Sequence, residues 1–353
     1  MQEAAELTLT ALIANKPVEQ GKRMFVAGLL VCAIASAGLA GLLPLQLSIV
    51  TVFLFAGPHN WFELRYFITR LPVRFGRSRT FFMTAFIGVA SLTVAYVSLP
   101  LLYQTRGWTY EASLTALGLW NTLLLAWLST LVFLRSKQKA RSDWTWVLPM
   151  ALALCAFNWL TPDLFSLTLV YVHPLVALWF LDKHLLRNRP HWVSAYRCSL
   201  VGVPLIVGFL VWQLWGTDSL AEDNGLFWRI TQHAGAELLP QVSSHLLVSV
   251  HLFLEMLHYF VWLLALPLLG PLVIGRRRRP NSLPRFWKLD SLPIARHPRG
   301  FPKTVAFMLA VGGALVLLLW FGFSMDYATT RDIYFTVAIG HVIAEAPFLM
   351  KML

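Results

Sequence analysis

Charge is scarce in this chain of 353 residues: only 13% are Asp, Glu, Lys or Arg, against 57% hydrophobic. Soluble domains carry roughly 25% charged residues, which excludes an ordinary water-soluble fold. Cysteine is scarcer still. Cys32, Cys155 and Cys198 fall in or beside different apolar runs, with no CxxC, so neither a disulfide framework nor a thiolate metal site is indicated. Walker-type and GxGxxG loops, internal repeats and low-complexity tracts are lacking. The first twenty residues lack the basic start, short apolar core and small-residue cleavage site of a secretory signal, so the first apolar run is expected to be retained. Acidic residues are few, leaving a formal charge of +12. The basic residues sit in short segments between apolar runs, where orientation in a membrane requires them. Nucleic acid is therefore not an expected partner.

What is present is a series of apolar stretches long enough to cross about 30 Å of hydrocarbon, without the ten-residue alternation of a membrane barrel. The reading is an all-α, polytopic helical bundle forming one membrane domain over residues 1–353. Spans are expected near 24–44, 46–69, 80–103, 113–134, 145–161, 163–183, 197–216, 243–274, 303–324 and 331–350. The connecting segments alternate between basic ones, such as Arg70 to Arg79, and non-basic ones, such as "GTDSLAEDNG". Ten spans with both termini in the cytoplasm follow, in what is expected to be a bacterial inner membrane. Residues 275–303, rich in Arg and Pro, read as a basic cytoplasmic loop that fixes topology, with binding to anionic lipid headgroups as the alternative. An interfacial helix near 226–240 is an alternative reading of the segment after the seventh span.

Ionisable residues inside such spans are costly and point to function. "GPHNWFELRYF" places His59 one helical turn before Glu63, on the same face. "SVHLFLEMLHYFVW" holds His251, Glu255 and His258, and "IGHVIAEAPF" holds His341 and Glu345 at the same spacing as the first pair. "YVHPLVALWF" adds His173. The spans carrying these residues all run in the same direction. His59 lies eleven residues before Arg70, His173 ten before Lys183 and His341 ten before Lys351. At 1.5 Å per residue these three imidazoles share a level roughly 15 Å from the cytoplasmic helix ends, and His258 can reach it. A single membrane histidine is more often a packing residue, but four at one level suit a transition metal. The expected ligands are His59, His173, His258 and His341, with His251 competing with His258. Glu63, Glu255 and Glu345 are the expected catalytic carboxylates, as ligands, imidazole partners or proton carriers. Glu255-x-x-His258 is also half of the paired pattern of di-iron helical bundles. Trp61, Tyr66, Tyr171, Tyr259 and Trp262 lie near this level and could line a slot for a flat ligand. Asn60, Asn121 and Asn158 are candidate interhelical partners, and Asp326, Arg331 and Asp332 read as a capped helix start with a local ion pair.

"FAGPHNWFE" and "IGHVIAEAPFLMKM" resemble the first and last histidine motifs of the Brp/Blh family of membrane β-carotene dioxygenases. The resemblance covers about 30 residues. It implies a helical membrane bundle whose histidines bind iron and use O2 to cleave a polyene. His59 and His341 would then be iron ligands, with His173 and His258 in the middle positions. The functional expectation is a ferrous-iron membrane oxygenase, an oxidoreductase acting on a hydrophobic isoprenoid or carotenoid-like small molecule. Two other classes stay open at this point: a proton-coupled transporter with a His/Glu relay, and a non-catalytic subunit of a membrane complex that holds haem between two histidines.

Overall fold

The computed structural model describes residues 2–72, 75–138, 144–269, 293–296 and 300–352, with backbone alone over 2–18 and at 293 and 296. Regular structure within these residues is helical throughout. The helices are α1 (Gln2–Leu42), α2 (Pro44–Arg70), α3 (Arg79–Arg106), α4 (Tyr110–Gln138), α5 (Val147–Leu160) and α6 (Pro162–Asn188). There follow α7 (Val193–Leu200), α8 (Gly202–Leu214), α9 (Gly225–His233), α10 (Ser244–Phe260), α11 (Pro302–Met325) and α12 (Tyr327–Met352). Proline begins α2, α6 and α11, where its missing N–H costs nothing and its fixed φ suits the first turn. Gly107 ends α3 at φ 61°, a left-handed cap that favours glycine.

Among the described residues, eight segments are long and apolar enough to cross a membrane: Glu19–Leu42, Gly76–Arg106, Tyr110–Gln138, Pro162–Asn188, Pro190–Leu214, Ser244–Leu268, Pro302–Met325 and Tyr327–Met352. They coincide with eight of the ten expected spans. The other two correspond to α2 and α5. Helix α2 has 27 residues, but His59, Asn60, Glu63 and Arg65 dilute its apolar character. Helix α5 has only 14 residues, fewer than the roughly 17–25 typical of a crossing. Near residues 226–240 lies the short helix α9, whose first turn is capped by Asn224 accepting from the Phe227 N–H at 2.9 Å. Residues 275–292 and 297–299 of the expected basic loop lie outside the described residues.

Helix α10 is the centre of the bundle: 78% of its most apolar window is buried, against 11–39% for the other seven spans. It packs on α1, α2, α6 and α8. Helix α12 packs on α2 and α6 in turn, so α2, α10, α6 and α12 close into a ring in which each helix touches the next. Small residues and buried amides bring the outer helices onto this ring. Gly88 on α3 lets the Trp127 indole of α4 lie against the backbone, where a Cβ would overlap its Nε1, and that Nε1 donates to the Thr84 carbonyl at 3.0 Å. Asn121 on α4 donates to Asn158 of α5 at 2.7 Å and to Ser166 of α6 at 3.3 Å. Asn60 donates to the Tyr334 hydroxyl at 3.4 Å.

The start of α12 departs from the expected local pair. Asp326 accepts from the Thr329 N–H at 3.1 Å, as a cap should. Asp332, however, pairs with Arg229 of α9. Arg331 is buried, stacked over Phe335 at 4.6 Å. Neighbouring residues on a helix diverge by about 100° around its axis, so Arg331 and Asp332 face different partners.

Candidate metal centre

Every helix of the ring is irregular beside the residue it contributes. Pro58 precedes His59 in α2, Pro174 follows His173 in α6, and Pro347 lies two residues after Glu345 in α12. Each interior proline removes one helical hydrogen bond, freeing the carbonyl four residues earlier. Three residues after His258, α10 passes into a π-helical stretch, Val261–Ala265, that carries it on to Leu268. Such bulges frequently accompany functional sites.

At this level the four expected histidines meet. Ring centroids are 5.3 Å apart for His59 and His258, 4.7 Å for His258 and His173, 5.3 Å for His173 and His341, and 5.3 Å for His341 and His59. They follow the order of helices around the ring, with 6.5 Å across from His258 to His341. Glu63 and Glu345 project into the same space. Potential ligand atoms of His59, Glu63, His258 and His341 all lie within 4.8 Å of one another, and so do those of His173, His258 and Glu345.

Few of these donors have a partner. Both carboxylate oxygens of Glu63, Oε1 of Glu345, both ring nitrogens of His258 and Nδ1 of His341 are buried without a hydrogen bond. His173 Nδ1 lies 3.2 Å from Glu345 Oε2, without the alignment of a hydrogen bond. Glu63 is 1% and Glu345 2% exposed. An isolated buried carboxylate costs several kcal/mol unless a cation or a proton neutralises it, and buried polar groups are otherwise nearly always paired. A borderline transition ion such as iron, copper or zinc fits imidazole and carboxylate donors and would satisfy the orphaned atoms together. His59 is prepared for that role: its Nδ1 lies 3.0 Å from the Phe55 carbonyl, and donation there leaves Nε2 as the free ligand atom.

The remaining expected site residues fall into place around this cluster. Glu255 stands outside it, accepting from the Tyr259 hydroxyl at 2.6 Å, and the Tyr259 ring packs 4.7 Å from that of His59. Glu255 thus positions an aromatic wall and joins neither donor group. His251 turns away, 5.2 Å from the ring of His233 and 5.6 Å from that of Tyr171, so His258 is the α10 member of the cluster. Desolvation, with Arg331 nearby, holds the His233 imidazole well below its usual range, keeping that ring neutral.

A cavity of about 360 Å³ adjoins the four imidazoles and reaches Asp163, Gln232 and His233. Asp163 and His173 are ten residues apart on α6, so the cavity extends along roughly 15 Å of helix. Its aromatic wall is Tyr96, Trp120, Tyr259, Tyr334 and Phe335. Of the five aromatic residues expected to line a slot, Tyr259 alone does so here. Trp61 faces a second, apolar cavity of about 510 Å³ between α2 and α11 and donates to the Leu309 carbonyl at 2.9 Å. The Tyr171 hydroxyl lies 2.9 Å from the Ala234 and 3.0 Å from the Leu247 carbonyl, tying α6 to α9 and α10. Tyr66 accepts from Arg70 at 2.8 Å and packs edge-on against Trp262 beneath the cluster. Tyr334 was not among the expected slot residues, although its place two turns before His341 on the same face of α12 could have marked it. Tyr96 and Trp120 had no such signal, because α3 and α4 carry no cluster residue to mark which of their faces turns inward. Set beside known proteins, the chain matches no family model, no curated protein and no solved structure.

Proposed function

We propose that this chain is a membrane-embedded metalloprotein, an iron-dependent oxygenase that cleaves or oxidises a lipid-soluble isoprenoid or carotenoid-like substrate. The observation that carries the reading is the set of buried, unpartnered imidazole and carboxylate atoms on four adjoining helices, opening on an elongated aromatic cavity. His59, His173, His258 and His341 hold the metal, and Glu63 and Glu345 supply the counter-charge. Iron bound there would supply the activation of O2 for attack on a carbon–carbon double bond. The chain's own residues do the rest. The Phe55 carbonyl orients His59, Glu255 fixes Tyr259, and the aromatic walls position a flat polyene and keep water from it. Cleavage of one C=C bond by O2 places one oxygen atom on each new carbonyl and needs no external reductant. The motifs around His59 and His341, which resemble those of membrane carotene dioxygenases, favour this chemistry.

In the same reading α2 and α5 complete ten spans, both termini are cytoplasmic, and the protein resides in a bacterial inner membrane among lipids. Two buried carboxylates beside the four imidazoles suit a borderline metal ion better than a haem held between two histidines.

Incubating the detergent-purified, iron-loaded chain with β-carotene or a shorter polyene under ¹⁸O₂ tests the activity. The expected result is carbonyl products carrying the label, falling by on the order of 100-fold in His341→Ala. Unaltered polyenes with fully loaded protein would remove the oxygenase reading, and pH-dependent proton flux in liposomes would then point to a transporter.

A further inference from the structure

The six donors do not gather around one point. Metal–ligand bonds to imidazole and carboxylate are about 2.0–2.2 Å, so two donors on one ion stand no more than about 4.4 Å apart. The donors divide into two sets that each come close to this limit, and the sets overlap at His258 alone. His173 belongs with Glu345, 3.2 Å away, and does not join the set of His59, Glu63 and His341. Helix α12 serves both sets from successive turns: His341 faces one and Glu345, four residues on, faces the other. His258 stands between them with both ring nitrogens buried and unpartnered, so the two sets share a wall.

We propose that the centre holds two adjacent metal ions, one on His59, His341 and Glu63 and the other on His173, His258 and Glu345. This rests on the metal-binding reading above and adds the number of ions and the division of ligands. Each ion then has two imidazoles and one carboxylate, the donor set of non-haem iron oxygenases, which leaves coordination positions open. One carboxylate stays with each ion as a local counter-charge, a requirement in a site this buried. Gathering all six donors on one ion would instead require His173 to abandon Glu345 and turn toward the His59 side of the ring.

Stoichiometry tests this directly. The full chain in detergent is made metal-free, loaded anaerobically with ferrous iron, desalted and assayed for iron per chain. Two irons are expected for wild type and one for each of Glu63→Gln and Glu345→Gln, near-isosteric changes that keep the fold. His59→Ala and His173→Ala are expected to give the same value of one where circular dichroism shows native helix content. After oxidation, two coupled ferric ions are expected to leave wild type EPR-silent, while the variants show an isolated ferric signal. One iron in wild type, or loss of all iron from a single carboxamide variant, would overturn the two-ion centre and leave the single-ion reading standing. No iron in wild type would remove both.

Discussion

Ferrous iron added to the metal-free protein is expected to raise its melting temperature by about 5 °C, and a chelator to reverse the shift. The cause is the pair of buried carboxylates, Glu63 and Glu345, with three oxygens lacking any partner. Without a cation they must be neutralised by protons or remain uncompensated, and either state weakens the folded form. A ligand that binds only the folded state stabilises it by about 4 kcal/mol at a thousand times its Kd. At about 2.1 cal/mol/K of unfolding entropy per residue, 1 kcal/mol moves the melting temperature of a chain this long by about 1–2 °C, and a shift of about 5 °C follows. Acidification should diminish it, because binding requires neutral imidazoles and ionised carboxylates. Differential scanning fluorimetry of wild type beside His59→Ala/His258→Ala measures the effect. An equal shift in the double variant would place the metal elsewhere.

Filling the cavity separates metal binding from substrate access. Ala338 lines the cavity three residues before His341 on α12. In Ala338→Trp an indole would occupy the space beside the imidazoles, at an overpacking cost of about 1–3 kcal/mol. Polyene turnover is expected to fall by on the order of 100-fold with the iron content unchanged. Trp placed at Leu317, which is 64% exposed on α11, is the control and should leave turnover intact. Full activity in Ala338→Trp would show that this cavity is not where the substrate lies.

Much of the centre was legible in the sequence because two quantities can be read from one strand of text. Spacing gives the face of a helix, which paired His59 with Glu63 and His341 with Glu345. Counting back from the basic segments gives depth, which set His59, His173 and His341 at one level. Spacing alone could not choose between His251 and His258, which both flank Glu255. Their contacts in the bundle decide it. Neighbour relations between helices are not written in either quantity. Hence the wall residues Tyr96 and Trp120 came from helices that carry no histidine or carboxylate of the cluster, and Asp332 found Arg229 of α9 instead of the adjacent Arg331. The expected slot residues Trp61, Tyr66, Tyr171 and Trp262 do lie near the cluster, yet they serve hydrogen bonds and packing. Proximity in depth did not fix which way their rings point. The cluster also explains the difficulty with α2, since His59 and Glu63, which face it, lower the hydropathy by which a span is recognised.

Elemental analysis of the purified, iron-reconstituted chain, wild type beside His59→Ala/His173→Ala, tests the metal centre most directly. This double substitution removes one imidazole from each donor set. Iron in whole-number stoichiometry in wild type, and essentially none in the double variant, is the predicted result. Wild type without stoichiometric metal after reconstitution, or a double variant that retains it, would contradict a metal held by the histidine ring.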